Sequence, residues 1–285
     1  MHLRTGIPLI GELEQHLASE AYRRHVEFNR DFLEKNDAAM SRYGKLWAKD
    51  TFRLWSRRWE YPFVAQRVIE FAREQGDGAF RLLDAGSGVT YFPYFLRREI
   101  PRAEITCFDS NSSYTGMFAA VNRTMGEAKV RFVEGMLQKI PLADDSFDAI
   151  CCISVLEHTG NYDEILDEFA RLLRPGGLLV LTFDLSLDGR FELPKEAASR
   201  LLASLARKFN VAASVDLQKE LGRMDDPRGE GILTTDHIRD TQPDLLPWKH
   251  PMLKAVHDLV KGHGWTGGFR SKSVYCVEVT ARSAG

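Results

Sequence analysis

Leu82-Leu83-Asp84-Ala85-Gly86-Ser87-Gly88 is the stretch on which the fold turns. An apolar run of strand length closes on Asp84, glycines follow at positions 86 and 88, and from Tyr91 the text becomes helical. A strand, a glycine turn and a helix in that order mark the place where a doubly wound sheet binds a nucleotide-like ligand, because glycine lets the backbone come close. Upstream, residues from about 10 to 75 read as helix throughout. After Gly76-Asp77-Gly78, apolar runs of strand length alternate with helical patterns, the signature of stacked βαβ units. Strands are expected over 80–83, 104–108, 130–133, 147–153 and 178–183, with helices near 91–99, 112–122 and 163–173. Arg174-Pro175-Gly176-Gly177 stops the last helix. Right-handed crossovers then give a parallel sheet covered on both faces.

The 273–281 segment alternates Val274, Cys276 or Val277, and Val279 with polar residues and reads as an edge strand, preceded by a helix near 251–262. Residues 185–249 between them carry Pro194, Pro227, Pro243 and Pro247 in mostly helical and loop text. Insertions of that length in a compact domain usually serve as lids or binding loops. The chain therefore divides into an N-terminal helical extension or lid (1–78) and a binding domain (79–285) with a substrate-side insertion at about 185–249. In the extension, Tyr43, Trp47, Trp55 and Trp59 recur at multiples of four, with Leu46 and Leu54 alongside and Arg53, Arg57 and Arg58 flanking. The stripe is either core between helices or a lid face that stacks on a flat or lipid-like acceptor, its arginines meeting an acidic group.

Composition narrows the partners. A net charge of -2 gives no general attraction for phosphate backbones, so nucleic acid is disfavoured and small molecules gain ground. No apolar run reaches the length of a bilayer span, and Arg4, Glu12 and Glu14 stand where a signal peptide needs apolar text, so a cytoplasmic enzyme is expected. Cys107, Cys151, Cys152 and Cys276 sit in strand-like text without metal-ligand spacing and read as reduced core residues. His250, His257 and His263 likewise lack a paired carboxylate or cysteine, and no metal is expected.

The ligand of the glycine turn follows from two carboxylates. Asp109 ends the second strand, roughly 20 residues past the turn, where a carboxylate accepts both hydroxyls of a ribose. Asp84 stands at the mouth of the turn, where it repels a pyrophosphate but attracts a cation. The dinucleotide fingerprint fails directly, since its third glycine falls at Tyr91.

The glycine stretch, then Asp109, Ile140-Pro141-Leu142-Ala143-Asp144-Asp145-Ser146-Phe147-Asp148-Ala149-Ile150, Ser154-Val155-Leu156-Glu157-His158 and Leu172-Leu173-Arg174-Pro175-Gly176-Gly177 together resemble class I, Rossmann-like S-adenosylmethionine-dependent methyltransferases of the small-molecule type. The resemblance covers about residues 79–184. It implies a three-layer α/β fold, with a mostly parallel seven-stranded sheet and an antiparallel edge strand, and S-adenosylmethionine as cofactor. It places Asp84, Ala85 and Gly86, with Gly88 and Thr90, near the amino and carboxylate groups of the cofactor. Asp109 and Ser110 fall at the ribose, Met136 and Leu137 along the adenine, and Ile153 and Ser154 beside the methionine moiety. Two positions depart from the family pattern: Thr90 replaces its third glycine, and Met136 stands where many members have an adenine-gripping aspartate.

Methyl transfer from a sulfonium is an in-line displacement with a good leaving group, so alignment and desolvation supply much of the acceleration. An alcohol acceptor benefits from a base titrating near neutrality. His158, after the fourth strand, is the leading candidate, although a histidine there also suits a turn. Glu157 reads more readily as a solvated rim residue. Asp184, ending the fifth strand, orients an acceptor or caps its own loop. His237 lies in the insertion, with Thr235 or Asp236 as helix cap. Tyr91, Trp47 and Trp55 are the substrate-side candidates. The expected function is methyl transfer to oxygen or nitrogen of an aromatic, lipid-like or acidic small molecule. The alternatives are an RNA or protein methyltransferase, a non-catalytic cofactor-binding partner subunit, and transfer of another group from the same cofactor. Oligomeric state is not legible in the sequence.

Overall fold

A computed structural model describes residues 1–41, 43, 49–189, 192–246, 251–260 and 270–282. Leu46, Trp47, His250 and His263 lie outside the described residues. The N-terminal segment forms α1 (Ile10–Leu17), α2 (Glu20–Lys35), the single turn α3 (Asp37–Met40) and the long α4 (Trp55–Glu74). Strand β1 (Phe80–Ala85) follows, then α5 (Phe92–Glu99), β2 (Ala103–Asp109), α6 (Tyr114–Met125), β3 (Val130–Glu134), β4 (Phe147–Ile153), α7 (Tyr162–Leu172) and β5 (Leu173–Ser186). The chain continues through α8 (Lys195–Lys208), β6 (Phe209–Asn210), α9 (Leu217–Gly222), α10 (Thr235–Thr241), α11 (Pro251–Val260) and β7 (Lys272–Ala281).

The seven strands form one sheet in the order β3-β2-β1-β4-β5-β7-β6. β1 to β5 run parallel, and β7 runs antiparallel to both of its neighbours. Side chains alternate across a strand, so a sheet covered on both faces needs apolar residues at successive positions. Leu82 and Leu83 meet that demand, and both are fully buried. Leu82, Cys107, Cys151 and Cys276 share one core with α4, α5 and α6, while Leu83, Cys152, Leu181 and Val277 share the other with α7 and α8. All four cysteines are buried free thiols. Among the described residues no helix is long and apolar enough to cross a membrane.

Four sequence expectations change. The aromatic stripe is not one helix face, because a 3-10 turn at Thr51–Arg53 and an extended Leu54 separate Tyr43 from α4. Trp55 and Trp59 open α4 and are buried, so for them the structure selects core over lid. The expected edge strand, β7, lies one place in from the edge, covered by the two-residue β6. Both β6 and α8 come from the segment expected to be an insertion; α8 packs in the same core as α7, and the layered fold thus extends into 185–249. The cap of α10 is Thr234, whose hydroxyl accepts from His237 N at 3.1 Å, and not Thr235 or Asp236. At the Arg174-Pro175-Gly176-Gly177 stop, α7 ends at Leu172 and the ladder with β4 skips from Leu173 to Leu178.

Helix α4 carries a proline in its interior. Pro62 has no N–H and leaves the Arg58 carbonyl without its helical donor. His16 of α1 takes that role, donating from Nε2 to Arg58 O at 2.8 Å, and its buried ring has a pKa lowered by desolvation. The contact joins the N-terminal helices to the layer that covers the sheet. We expect His16→Ala to lower the unfolding free energy by about 1–3 kcal/mol in urea titrations, since it leaves that carbonyl without its donor. An unchanged midpoint would show that the carbonyl is satisfied otherwise.

Candidate functional site

The glycine turn is held by its own protein neighbours. The N–H groups of Gly86 and Ser87 donate to Phe108 O at 2.7 and 3.1 Å. Gly88 N donates to Asp109 Oδ2 at 3.1 Å, and Asn111 N donates to Asp109 Oδ1 at 3.1 Å. Val89 N donates to the hydroxyl of Tyr43 at 3.0 Å. Gly86 and Gly88 have φ of 74° and 53°, which only glycine adopts at little cost. A Cβ at Gly86 would collide with Val155, and one at Gly88 with the Tyr43 hydroxyl. The turn is a tight cradle whose N–H groups are engaged internally, which is unlike a phosphate site.

Asp84 closes β1 beneath this turn and is 4% exposed. Its Oδ1 accepts from the Cys151 thiol at 3.7 Å, a weak donor for a buried carboxylate. Burial pushes its pKa up to about 7, with the Cys151 hydrogen bond acting downward and the Asp109 charge upward. A buried acid so poorly paired, beside a cradle that admits no side chain, suits an ammonium group. The donor set therefore fits the amino-acid end of S-adenosylmethionine, with Asp109 at the end of β2 for the ribose.

The N-terminal segment reaches the cradle too. Beyond Tyr43, Tyr61 of α4 packs its ring 4.9 Å from that of Phe92 at the start of α5, and Phe92 N donates to Thr90 Oγ1 at 3.3 Å. Thr90 is thus engaged in capping. Tyr91, expected to close the pocket, instead lies 1% exposed in an aromatic core with Phe52, Tyr61, Phe92 and Phe95, its hydroxyl 2.9 Å from His25 Nδ1. Trp55, the other described substrate-side candidate, is buried and donates to Thr235 Oγ1 at 3.1 Å. Neither residue is free to stack on an acceptor without moving. Ser110 is exposed after β2, Ala85 is buried beneath the turn, Leu137 is half-buried and Met136 is 58% exposed.

At the carboxyl ends of β4 and β5 lies a polar cluster. The Glu60 carboxylate of α4 is fully buried. Its Oε1 accepts from Ser154 Oγ and Thr182 Oγ1, each at 2.6 Å. Arg57, one turn earlier, donates both to Glu60 Oε2 and to Ser154 Oγ. Burial by itself lowers the Arg57 pKa, but Glu60, Asp184, Tyr61 and Glu157 around it leave it raised. Ser154 follows Ile153, which is buried at the end of β4, and holds φ of 49°, a strained value for a non-glycine residue and a recurrent mark of functional sites.

Glu157 and Asp184 complete the cluster. Glu157 Oε1 accepts from Asp184 N at 3.2 Å, and Asp184 Oδ2 pairs with Lys272 of β7. Glu157 is buried, which corrects the expectation of a solvated rim residue. Burial, then the Asp184 charge, pushes its carboxyl pKa up to about 8, against the Arg57 charge. The rim position belongs to His158, which is exposed overall; desolvation of its ring lowers its pKa, against the Asp184 charge. Sequence reasoning missed Glu60 and gave Arg57 only a flanking role. Their one available signal was charge beside Trp55 and Trp59, which themselves proved to be core. Among the described residues no group of three or more His, Cys, Asp or Glu is placed to hold a metal.

The middle of the chain is similar to known proteins. Residues 83–181 match a family model described as a methyltransferase domain. The demethylmenaquinone methyltransferase of Deinococcus radiodurans is 34% identical over 128 residues, 44% of this chain and 48% of that protein. Methyltransferase GfsG of Streptomyces halstedii is 34% identical over 193 residues, 65% of this chain and 66% of its own. The fatty-acid O-methyltransferase of Mycolicibacterium smegmatis is 28% identical over 142 residues, 48% of this chain and 50% of its own. The chain thus spans about half the length of most of the relatives it matches.

The cluster makes a stability prediction. Glu60→Leu leaves the half-buried Arg57 without its nearest counter-charge and is expected to cost about 3 kcal/mol in chemical denaturation. Arg57→Met combined with Glu60→Leu should recover much of that loss; a double variant no better than the single one would contradict the pairing. A second prediction concerns Asp84. Because its folded pKa lies above the unfolded value, the wild type loses stability as pH rises toward about 7, where the buried group must ionise. The melting temperature of ligand-free Asp84→Asn should therefore gain on the wild type as pH rises through that window, and a constant difference would count against it.

Proposed function

We propose, on the premise that residues 83–181 are a class I S-adenosylmethionine-dependent methyltransferase domain, that this chain methylates a small molecule at oxygen or nitrogen. One observation carries the reading: Asp84, a buried and weakly paired acid, lies under a glycine cradle whose N–H groups are already engaged by Phe108, Asp109 and Tyr43. Such a site favours a cationic amino-acid end over a phosphate. The cofactor supplies an electrophilic methyl group on a sulfonium whose thioether leaves readily.

The chain's own residues then have separable tasks. Asp84 pairs with the ammonium, and Asp109 accepts from the ribose hydroxyls with the oxygen lone pairs not used by Gly88 and Asn111. Met136 and Leu137 line the adenine through apolar contact, the exposed Met136 side chain being free to do so. Ser154, fixed by Glu60 and Arg57, sets the backbone beside the transferred methyl. Enclosure by α4 and its buried cluster excludes water, which strengthens each electrostatic contact. The relatives' names support a small, lipid-like acceptor, since one acts on demethylmenaquinone and another on fatty acids. The net charge of -2 supports the same class against nucleic acid.

Calorimetry with S-adenosylhomocysteine tests the cofactor site. Protonated Asp84 cannot pair with the ammonium, so affinity should fall as pH drops through about 7. Asp84→Asn should bind more weakly and without that slope. Asp109→Ala should lose at least about tenfold, roughly 1.4 kcal/mol; unchanged binding would remove Asp109 from the site. With radiolabelled cofactor, methyl should enter a long-chain fatty acid or a naphthohydroquinone. Incorporation into bulk tRNA or a histone instead would overturn the acceptor class.

A further inference from the structure

Two oxygen atoms at the strand ends are left over by the network around them. Glu157 and Asp184 are 8% and 5% exposed. Among the described residues, Glu157 Oε2 and Asp184 Oδ1 have no hydrogen-bond partner. Their sister oxygens are occupied, Glu157 Oε1 by the Asp184 backbone N–H and Asp184 Oδ2 by Lys272. A buried carboxyl oxygen without a donor costs free energy, and such orphans persist where function uses them. Here Asp184 lies on β5 and Glu157 in the 3-10 turn that follows the neighbouring β4, the two joined by the Asp184 N–H on Glu157 Oε1, on the side where a doubly wound sheet presents its ligand.

We infer that Glu157 takes the proton of the methyl acceptor through Oε2 while Asp184 orients the same group through Oδ1, so the acceptor is a hydroxylated molecule methylated at oxygen. The inference rests on the methyl-transfer reading of this site and narrows it. The acceptor O–H bond breaks and its proton goes to Glu157. The electron pair left on oxygen forms the bond to the methyl group, and the pair of the broken sulfur–methyl bond stays on sulfur.

Electrostatics favour Glu157 over His158 in this role. Arg57 and Glu60 face Glu157 from α4, Asp184 from β5, and Cys152 from the end of β4, with Lys272 of β7 beyond Asp184. Burial and the Asp184 charge outweigh Arg57, so the carboxylate binds a proton more tightly than an ordinary glutamate does. Receiving the acceptor's proton neutralises the least comfortable charge in the cluster. A base whose affinity for protons lies near the working pH is also the more effective one. His158 has its proton affinity lowered by the same surroundings and lies toward solvent.

The test uses the protein loaded with S-adenosylhomocysteine and two fluorescent probes, 2-naphthol and its methyl ether 2-methoxynaphthalene. Naphthol keeps its proton over the range and can donate it to a carboxylate, and the ether has none to donate. Affinity for naphthol should rise on the order of tenfold as pH is raised through about 8, where Glu157 ionises, while affinity for the ether stays flat. Glu157→Gln should flatten the naphthol profile with unchanged affinity for S-adenosylhomocysteine, which also reports that it folds. Glu157→Asp should restore part of the slope, and His158→Ala should keep all of it. Infrared titration of the protein alone should show a protonated carboxyl band lost through the same range and missing in Glu157→Gln. A flat naphthol profile in the wild type, no naphthol binding, or a slope that survives Glu157→Gln and vanishes in His158→Ala would overturn the inference while leaving the cofactor site standing. Failure to bind S-adenosylhomocysteine would sink the methyl-transfer reading and this inference with it.

Discussion

The buried carboxylate of Glu60 is the constraint around which the site is organised. It stands in α4, yet its hydrogen bonds come from Ser154 at the end of β4 and Thr182 on β5, with Arg57 supplying the balancing charge. An unpaired charge in that position is not tolerated, so the helix, the two strand ends and the strained Ser154 backbone are held to one mutual arrangement. The same lock brings Arg57 beside Glu157 and Asp184, each of which keeps one oxygen without a donor among the described residues. A segment that reads as an appendage in the sequence thereby becomes part of the wall of the site.

A second tension runs through Asp84 and Glu157. Both acids are buried where ionisation is costly, and neither has a cation of its own that outweighs that cost. Stability is given up at neutral and alkaline pH for groups that suit an incoming cation in one case and an incoming proton in the other. Tyr43 reaches the first of these regions, since its hydroxyl holds Val89 and stands over Gly88. The N-terminal segment thus touches both the cradle and, through α4, the strand ends.

The parts of this account carried by short-range pattern were legible. Apolar text over 147–153, broken only by Asp148, matches β4 to the residue, and the glycine turn after Asp84 announced the crossover. Long-range polar pairing was not. Glu60 meets Ser154 and Thr182 across 94 and 122 residues, and no local pattern encodes such a contact. Helical spacing made Tyr43, Trp55 and Trp59 look like one stripe, whereas the extended Leu54 breaks it. Neighbours in sequence were also hard to separate: Glu157 and His158 share one 3-10 turn, and only its packing decides which is buried. Strand β6 was hidden because two residues leave no periodicity to see.

The most direct measurement is a crystal structure of the protein with S-adenosylhomocysteine bound. The account predicts the ammonium within hydrogen-bonding distance of Asp84, the ribose hydroxyls on Asp109, and the sulfur turned toward Ser154, Glu157 and Asp184. A ligand whose ammonium leaves Asp84 unpaired, or whose sulfur faces away from the ends of β4 and β5, would contradict it.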